Sequence, residues 1–180
     1  MALFLPLLLA LLALADSAFA APNVPLSTKS RWIVDAGGER VKLRCVNWAG
    51  HMETNLPEGL HKQSISYLAD WIAAQGFNCV RLTYSIDWAL NPTVAVADAF
   101  KDAAPAAQVS ADAMVGLYSQ ALEKNPFLQN ATTQDVFAEV IDQLWDRGVM
   151  TSKQISQHFQ GEHICHVRGL SSGRLEDCGL

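Results

Sequence analysis

The 180-residue sequence has no cluster of lysine or arginine. That absence excludes a surface able to track a phosphate backbone, so nucleic acid is not an expected partner. The balance is mildly acidic, with a formal charge of −5 and a pI of about 5.4. There is also no apolar run of the roughly 20 residues that a membrane-crossing helix needs. The one long apolar run, Met1 to Ala15, is shorter than that. Nor is there a pair of cysteines two to four apart ahead of paired histidines. His158, His163, Cys165, His166 and Cys178 therefore lack the order of a zinc finger, and neither a metal nor another cofactor is expected.

What the N-terminus does have is a compact export pattern. Its leucine-rich run is followed by Ala18-Phe19-Ala20, a small-x-small cleavage signature. Residues 1–20 are read as a signal peptide, although only the α-amine supplies charge to its first segment. The mature chain is then expected outside the cell, with no membrane association once the signal is removed. Secretion permits disulfides. The four cysteines, Cys45, Cys79, Cys165 and Cys178, allow three complete pairings, and their spacing chooses none. At Cys45 and Cys79, buried free thiols are at least as good a reading as a bridge. Asn130-Ala131-Thr132 is a glycosylation sequon in a polar stretch.

Past a proline-bearing linker over 21–30, the chain alternates strand and helix signals. Arg31–Val34 and Arg40–Leu43 flank Gly37-Gly38, which predicts a hairpin. Val41–Trp48 reads as a buried strand. Ser64 can cap a helix whose apolar face is Ile65, Leu68, Ala69, Ile72 and Ala73, with Gly76 at its end. Phe77–Tyr84 reads as the next strand. Strand, helix and strand in about 40 residues form a βαβ unit, which implies parallel pairing. An alanine-rich connection follows, with helical pieces near Val94–Phe100 and Asp112–Lys124. Thr132 or Thr133 then caps a helix with Val136, Phe137, Val140, Ile141 and Leu144 on one face, ended by Gly148. Val149-Met150 begins a third strand. From Thr151 the sequence turns polar, and a boundary is expected there, with disorder over 151–180.

Functional candidates cluster where the strands end. Catalytic groups of α/β barrels stand at the C-terminal ends of strands. Arg81, near the end of the second strand, could hold a carboxylate ionised or form a structural ion pair. Asn47 and Trp48 end the first strand. Trp48 could stack on a sugar or pack as a cap. His51 and Glu53 lie in the loop that follows, and Asp87 follows the second strand.

Two stretches together resemble glycoside hydrolase family 5, and look most like its secreted fungal members. They are Leu43-Arg44-Cys45-Val46-Asn47-Trp48-Ala49-Gly50 and Gly76-Phe77-Asn78-Cys79-Val80-Arg81-Leu82. The resemblance runs from about Arg31 to Met150. It implies an α/β fold, the first two to three βα units of a (β/α)8 barrel, and a retaining hydrolase of β-linked polysaccharides. Two glutamates would do that chemistry, about 5 Å apart. Arg81 matches the arginine that supports the family's nucleophile, and Asn47, Trp48 and His51 become candidate substrate-binding residues. The family's acid/base glutamate follows an asparagine, and no Asn-Glu pair occurs in these 180 residues. A full barrel needs about 250 residues. The resemblance thus implies a barrel cut short after about Met150, with no catalytic glutamate and no activity, as an unspliced or frame-shifted product would have. The alternative is a secreted, non-catalytic carbohydrate-binding or interaction protein, for which Trp48, Tyr84 and Trp88 would have to form an exposed row.

Overall fold

The computed structural model describes residues 22–155 and 166–167. Ser27–Lys29 (β1) and Trp32–Val34 (β2) form an antiparallel hairpin. Cys45–Trp48 (β3), Cys79–Tyr84 (β4), Met150–Ile155 (β5) and His166–Val167 (β6) form a four-stranded sheet in that spatial order. β3, β4 and β5 are parallel, and β6 pairs antiparallel with β5. The connections carry the helices Ile65–Ala74 (α1), Ile86–Leu90 (α2), Val96–Ala103 (α3), Ala111–Lys124 (α4) and Thr133–Trp145 (α5).

Local chemistry sets the ends of these elements. The Ser64 hydroxyl accepts from Tyr67 N at 3.1 Å and starts α1. Gly76, at φ +76°, takes the left-handed turn that stops α1, and Gly148, at φ +71°, does the same after α5. Thr132 and Asp135 cap each other's backbone N–H groups at the start of α5. Asn78 then fixes the entry to the sheet. Its Oδ1 accepts from Arg44 N at 2.7 Å, its Nδ2 donates to Lys42 O at 2.8 Å, and its carbonyl accepts from Met150 N at 3.0 Å. The side chain thus imitates a strand backbone toward β3, while the main chain of the same residue meets the start of β5.

The core lies between one face of the sheet and the helices. Val80 and Leu82 are fully buried there, against Ala69, Val136, Phe137 and Val140. The α3–α4 connection packs as a second helical tier through Phe100 and Tyr118. Asn125, buried at its end, accepts from Ile65 N at 2.9 Å and donates to Leu60 O at 3.0 Å, tying that tier to α1. Between α1 and α5, Arg147 donates to Asp70 at 2.6 Å and Ser66 at 2.8 Å. That guanidinium holds the Asp70 carboxyl below its ordinary range.

Two expectations are corrected and one open alternative is decided. The hairpin is formed by Ser27–Val34 and turns at Ser30, so the stretch read as a linker supplies a strand. The arm after Gly38 keeps one bridge, Val34 with Arg40. Val41 N also donates to Ile33 O, and Asp35 N to Glu39 O, each at 2.9 Å, so the expected pairing across Gly37-Gly38 is present as a short third arm, closed by the Asp35 carboxylate, which accepts from Glu39 N at 2.9 Å. The third strand does not stop at Thr151. It runs through Ile155, in register with β4 from Cys79↔Met150 to Tyr84↔Ile155, and so crosses the expected boundary. Finally, Cys45 and Cys79, opposite each other in the β3–β4 register, are joined by a disulfide. The signal segment, and the expected disorder over 156–165 and 168–180, fall outside the described residues.

Candidate functional site

Successive side chains of a strand alternate between the faces of its sheet. In β3 and β4, Val46, Val80 and Leu82 point to the helices. Cys45, Asn47, Cys79, Arg81 and Thr83 therefore point to the opposite face. Register places Asn47, Arg81 and Ser152 in one row across the three parallel strands. Asn47 is exposed and Arg81 half-buried. The disulfide lies one step below this row on the same face.

Above the row, His51 is anchored by strand β4. Its Nδ1 lies 2.7 Å from the Thr83 hydroxyl, and Gly50 N donates to the same oxygen at 3.3 Å. The chain passes so close here that a Cβ on Gly50 would stand 2.6 Å from Thr83 O and 2.7 Å from Phe137 Cζ. Glycine is required by space at this point. The sequence signal for Thr83 was its position two residues beyond Arg81, on the same face.

Trp48 is not in this group. It is 8% exposed, packs in the core, and its indole N–H donates to Glu58 O at 2.9 Å. Its parity with Val46 turns it to the helices, so it offers no platform to a sugar. Trp88 is equally buried, at 7%, against Tyr84 and Phe137. Glu53 and Asp87 do come together, in a separate cleft of about 260 Å³ with Asn55, Trp88, Asn91 and Asp102. Val94, Ala99, Ala103 and Thr133 also line it, so it opens on the helical layer; Asn47, His51 and Arg81 are not among its walls. Asn91 and Asp102 were missed because they come from the long connection, whose folding back over α2 has no local signal.

The remaining candidates lie elsewhere. Asn130 is exposed at the end of a 3-10 turn, Pro126–Asn130, and the sequon's Thr132 hydroxyl is engaged in the α5 cap. Burial, reinforced by Lys62, pushes the His61 imidazole below its ordinary pKa; it is not among the residues lining the cleft. Among the described residues, no three His, Cys, Asp or Glu side chains are placed to hold a metal ion, and no helix is long and apolar enough to cross a membrane.

Comparison with known proteins bears on the fold. No family model matches the chain. Over 70 residues, 37% of its length, the chain is 60% identical to a glycosyl hydrolase 5 family protein of Chamaecyparis obtusa, of which it spans 13%. That source means the match does not single out the fungal members. Two solved structures share the fold. The catalytic domain of the major endoglucanase of Xanthomonas campestris superposes with a TM-score of 0.52 at 23% identity, over 71% of this chain and 31% of that one. An endocellulase of Pyrococcus horikoshii, solved in complex with cellotetraose, gives 0.51 at 17% identity, over 73% and 31%. The chain thus has an α/β fold similar to part of family 5 endocellulase catalytic domains, and it spans about a third of them.

Proposed function

We propose that this chain carries the opening βα units of a (β/α)8 barrel of a retaining β-glycosidase, and that these 180 residues alone hydrolyse no glycoside. The observation that carries the reading is the row Asn47–Arg81–Ser152. It lies on the strand face away from the helices, just below the strand ends, where a barrel keeps its chemistry. A β-linked glucan is the substrate class that the endocellulase likeness supports for the family scaffold.

The argument for inactivity is geometric. Retention needs a protonated carboxyl at the leaving oxygen and an ionised one below the anomeric carbon, about 5 Å apart. Glu39 sits in the Asp35 turn, Glu58 in the loop that accepts from Trp48, and Glu123 and Glu139 on α4 and α5. Glu162 and Glu176 fall outside the described residues. Glu53 and Asp87 share a cleft, but that cleft does not include Arg81. Among the described residues, the carboxyls that share a cleft are thus gathered away from the face that carries Arg81. For the runner-up, a non-catalytic sugar-binding protein, the row read from the sequence does not form, because Trp48 and Trp88 are both buried.

The test is the purified chain on a panel of β-glucans and mannans, beside a Glu53→Gln, Asp87→Asn double variant. No turnover is expected from either. Turnover by the wild type that the double variant loses would overturn the proposal and place a compact site in the cleft. Export belongs to the same reading. Residues 1–20 are proposed to direct secretion, and N-terminal sequencing of exported protein should start near Ala21. An intact Met1 on exported material would refute it.

A further inference from the structure

We propose that Asn130 accepts an N-linked glycan before α5 folds, and that the first sugar of that glycan then packs on Phe127. The inference rests on the export reading above, because the glycosyl donor is met on the secretory route. Asn130-Ala131-Thr132 is a complete acceptor motif, whereas Asn91-Pro92-Thr93 carries a proline that disqualifies it.

The folded chain presents the acceptor and closes the rest of the motif. Asn130 ends the 3-10 turn Pro126–Asn130 and is exposed, and its amide is engaged by no other described side chain. Ala131 is buried, and its carbonyl accepts from Val96 N at 3.1 Å. Thr132 bridges Ala95, and Thr133 N donates to Val94 O at 2.8 Å. The Thr132 hydroxyl donates to Asp135 Oδ2 at 2.7 Å and accepts from Asp135 N at 3.3 Å. A motif that demands a hydroxyl at its third position is read through that hydroxyl. Here the α5 cap holds it on one side, and the backbone of residues 94–96 holds the motif on the other. Transfer therefore precedes capping. It is a substitution with no change of oxidation state. Asn130 Nδ2 bonds to the anomeric carbon of a lipid diphosphate-linked oligosaccharide, and the bond from that carbon to the diphosphate oxygen breaks. The amide proton passes to a base of the transferase, and the lipid diphosphate leaves with the electron pair.

The same turn supplies a seat for the sugar. Residues three apart in a 3-10 helix eclipse each other. Phe127 and Asn130 are three apart in this turn, and Phe127 is 40% exposed although its neighbour Leu128 is fully buried. A glycan on Asn130 thus leaves the chain above an aromatic ring that the fold leaves in water. The apolar face of a pyranose ring can cover it.

The experiment translates the full chain into microsomes, once with its own leader and once with residues 1–20 replaced by a signal sequence of known activity. An endoglycosidase-sensitive increase in mass is expected, and Asn130→Gln should abolish it. No increase on foreign-leader chain that has entered the microsomes overturns the proposal. Protease protection of the own-leader chain reads export separately. If that chain stays outside while the foreign-leader chain gains the glycan, the export reading fails alone. Folded chain, made in cells without the transferase, is then offered to the same membranes in mild detergent. Less than a tenth of the co-translational occupancy is expected, and equal occupancy would overturn the order of transfer and capping. Finally, glycosylated chain trimmed to its first sugar should melt about 2–4 °C above Asn130→Gln. Phe127→Ser should remove at least half of that gain. A gain that survives Phe127→Ser, or no gain, overturns the packing on the ring.

Discussion

Replacing Gly50 with alanine tests the junction of site and core. The new methyl carbon would stand 2.6 Å from Thr83 O and 2.7 Å from Phe137 Cζ. Neither neighbour can yield easily. Thr83 is a strand residue, in register with Gln154 of β5. Phe137 is 1% exposed and its ring lies 4.7 Å from that of Trp88. Relief would have to come from displacing the Ala49–His51 backbone, which pulls His51 Nδ1 from the Thr83 hydroxyl. Overpacking of this kind costs about 1–3 kcal/mol, or roughly 2–4 °C in Tm for each kcal/mol in a chain of this size. Gly116→Ala is the matched control. Gly116 lies within α4, and a Cβ there meets nothing within 4 Å. The exchange should stabilise by about 0.5–1 kcal/mol through helix propensity. Urea and thermal unfolding followed by circular dichroism would measure both. Opposite signs are expected. A neutral Gly50→Ala, or the same sign for both, would refute the close approach of this loop to β4.

Reducing the chain, or replacing Cys45 and Cys79 with serine, should lower stability by up to about 4 kcal/mol, the loop-entropy limit for a separation of 34 residues; thiol titration of the folded chain should find neither cysteine reactive. Thr132→Ala should cost about 1 kcal/mol by removing the α5 cap, read as a shift in urea midpoint. The Thr132 backbone N–H, then its hydroxyl, hold the Asp135 carboxyl below the usual carboxylate range. A depressed folded-state pKa stabilises above the unfolded value and loses that contribution as pH falls through the folded value. The stability gap between wild type and Asp135→Asn should therefore be full at neutral pH and close in acid; a gap that widens on acidification would contradict the cap.

The βαβ grammar was legible because its punctuation is local. Ser64, Gly76, Thr132 and Gly148 act through their own backbone, and the apolar faces of α1 and α5 repeat at helical spacing. Only the start of β5 was read, at Val149-Met150, because the rest of its strand character is not local. Thr151, Ser152 and Lys153 form no apolar alternation, and they pair because β4 presents a ladder to them. Lys153 is tolerated there with its ammonium 5.7 Å from the Trp88 ring, a cation–π distance that no spacing in the sequence announces. Trp48 was misplaced although its parity was readable. It shares a face with Val46, two residues before it, and Asn47 alone shares one with Arg81. Period-two counting assigns a strand's last residues to a face more surely than nearness to the rim does. The hairpin was read only in part, for the opposite reason. Gly37-Gly38 is a strong turn signal, while the turn between β1 and β2 uses Ser30 at φ +56°, a conformation that a residue other than glycine seldom takes.

The two faces of the sheet differ in completion, and that bears on Arg81. On the helix side the core is closed. On the other side Asn47 and Cys45 are exposed. Two unit charges 4 Å apart interact by about 1 kcal/mol in bulk water and about 4 kcal/mol at an effective dielectric constant of 20. A guanidinium on an open face therefore has little power to hold a carboxylate ionised, whatever its position in the row. Covering that face removes water and strengthens the same charge severalfold without moving it. Enclosure of the Asn47–Arg81–Ser152 row and gain of electrostatic function are thus one event. In a longer chain that encloses the row and hydrolyses a β-glucan, Arg81→Lys should remove most of the hydrolysis, because lysine keeps the charge but not the planar, two-pronged geometry that orients a carboxylate. Equal hydrolysis with Arg81→Lys would show that the row plays no part in the chemistry.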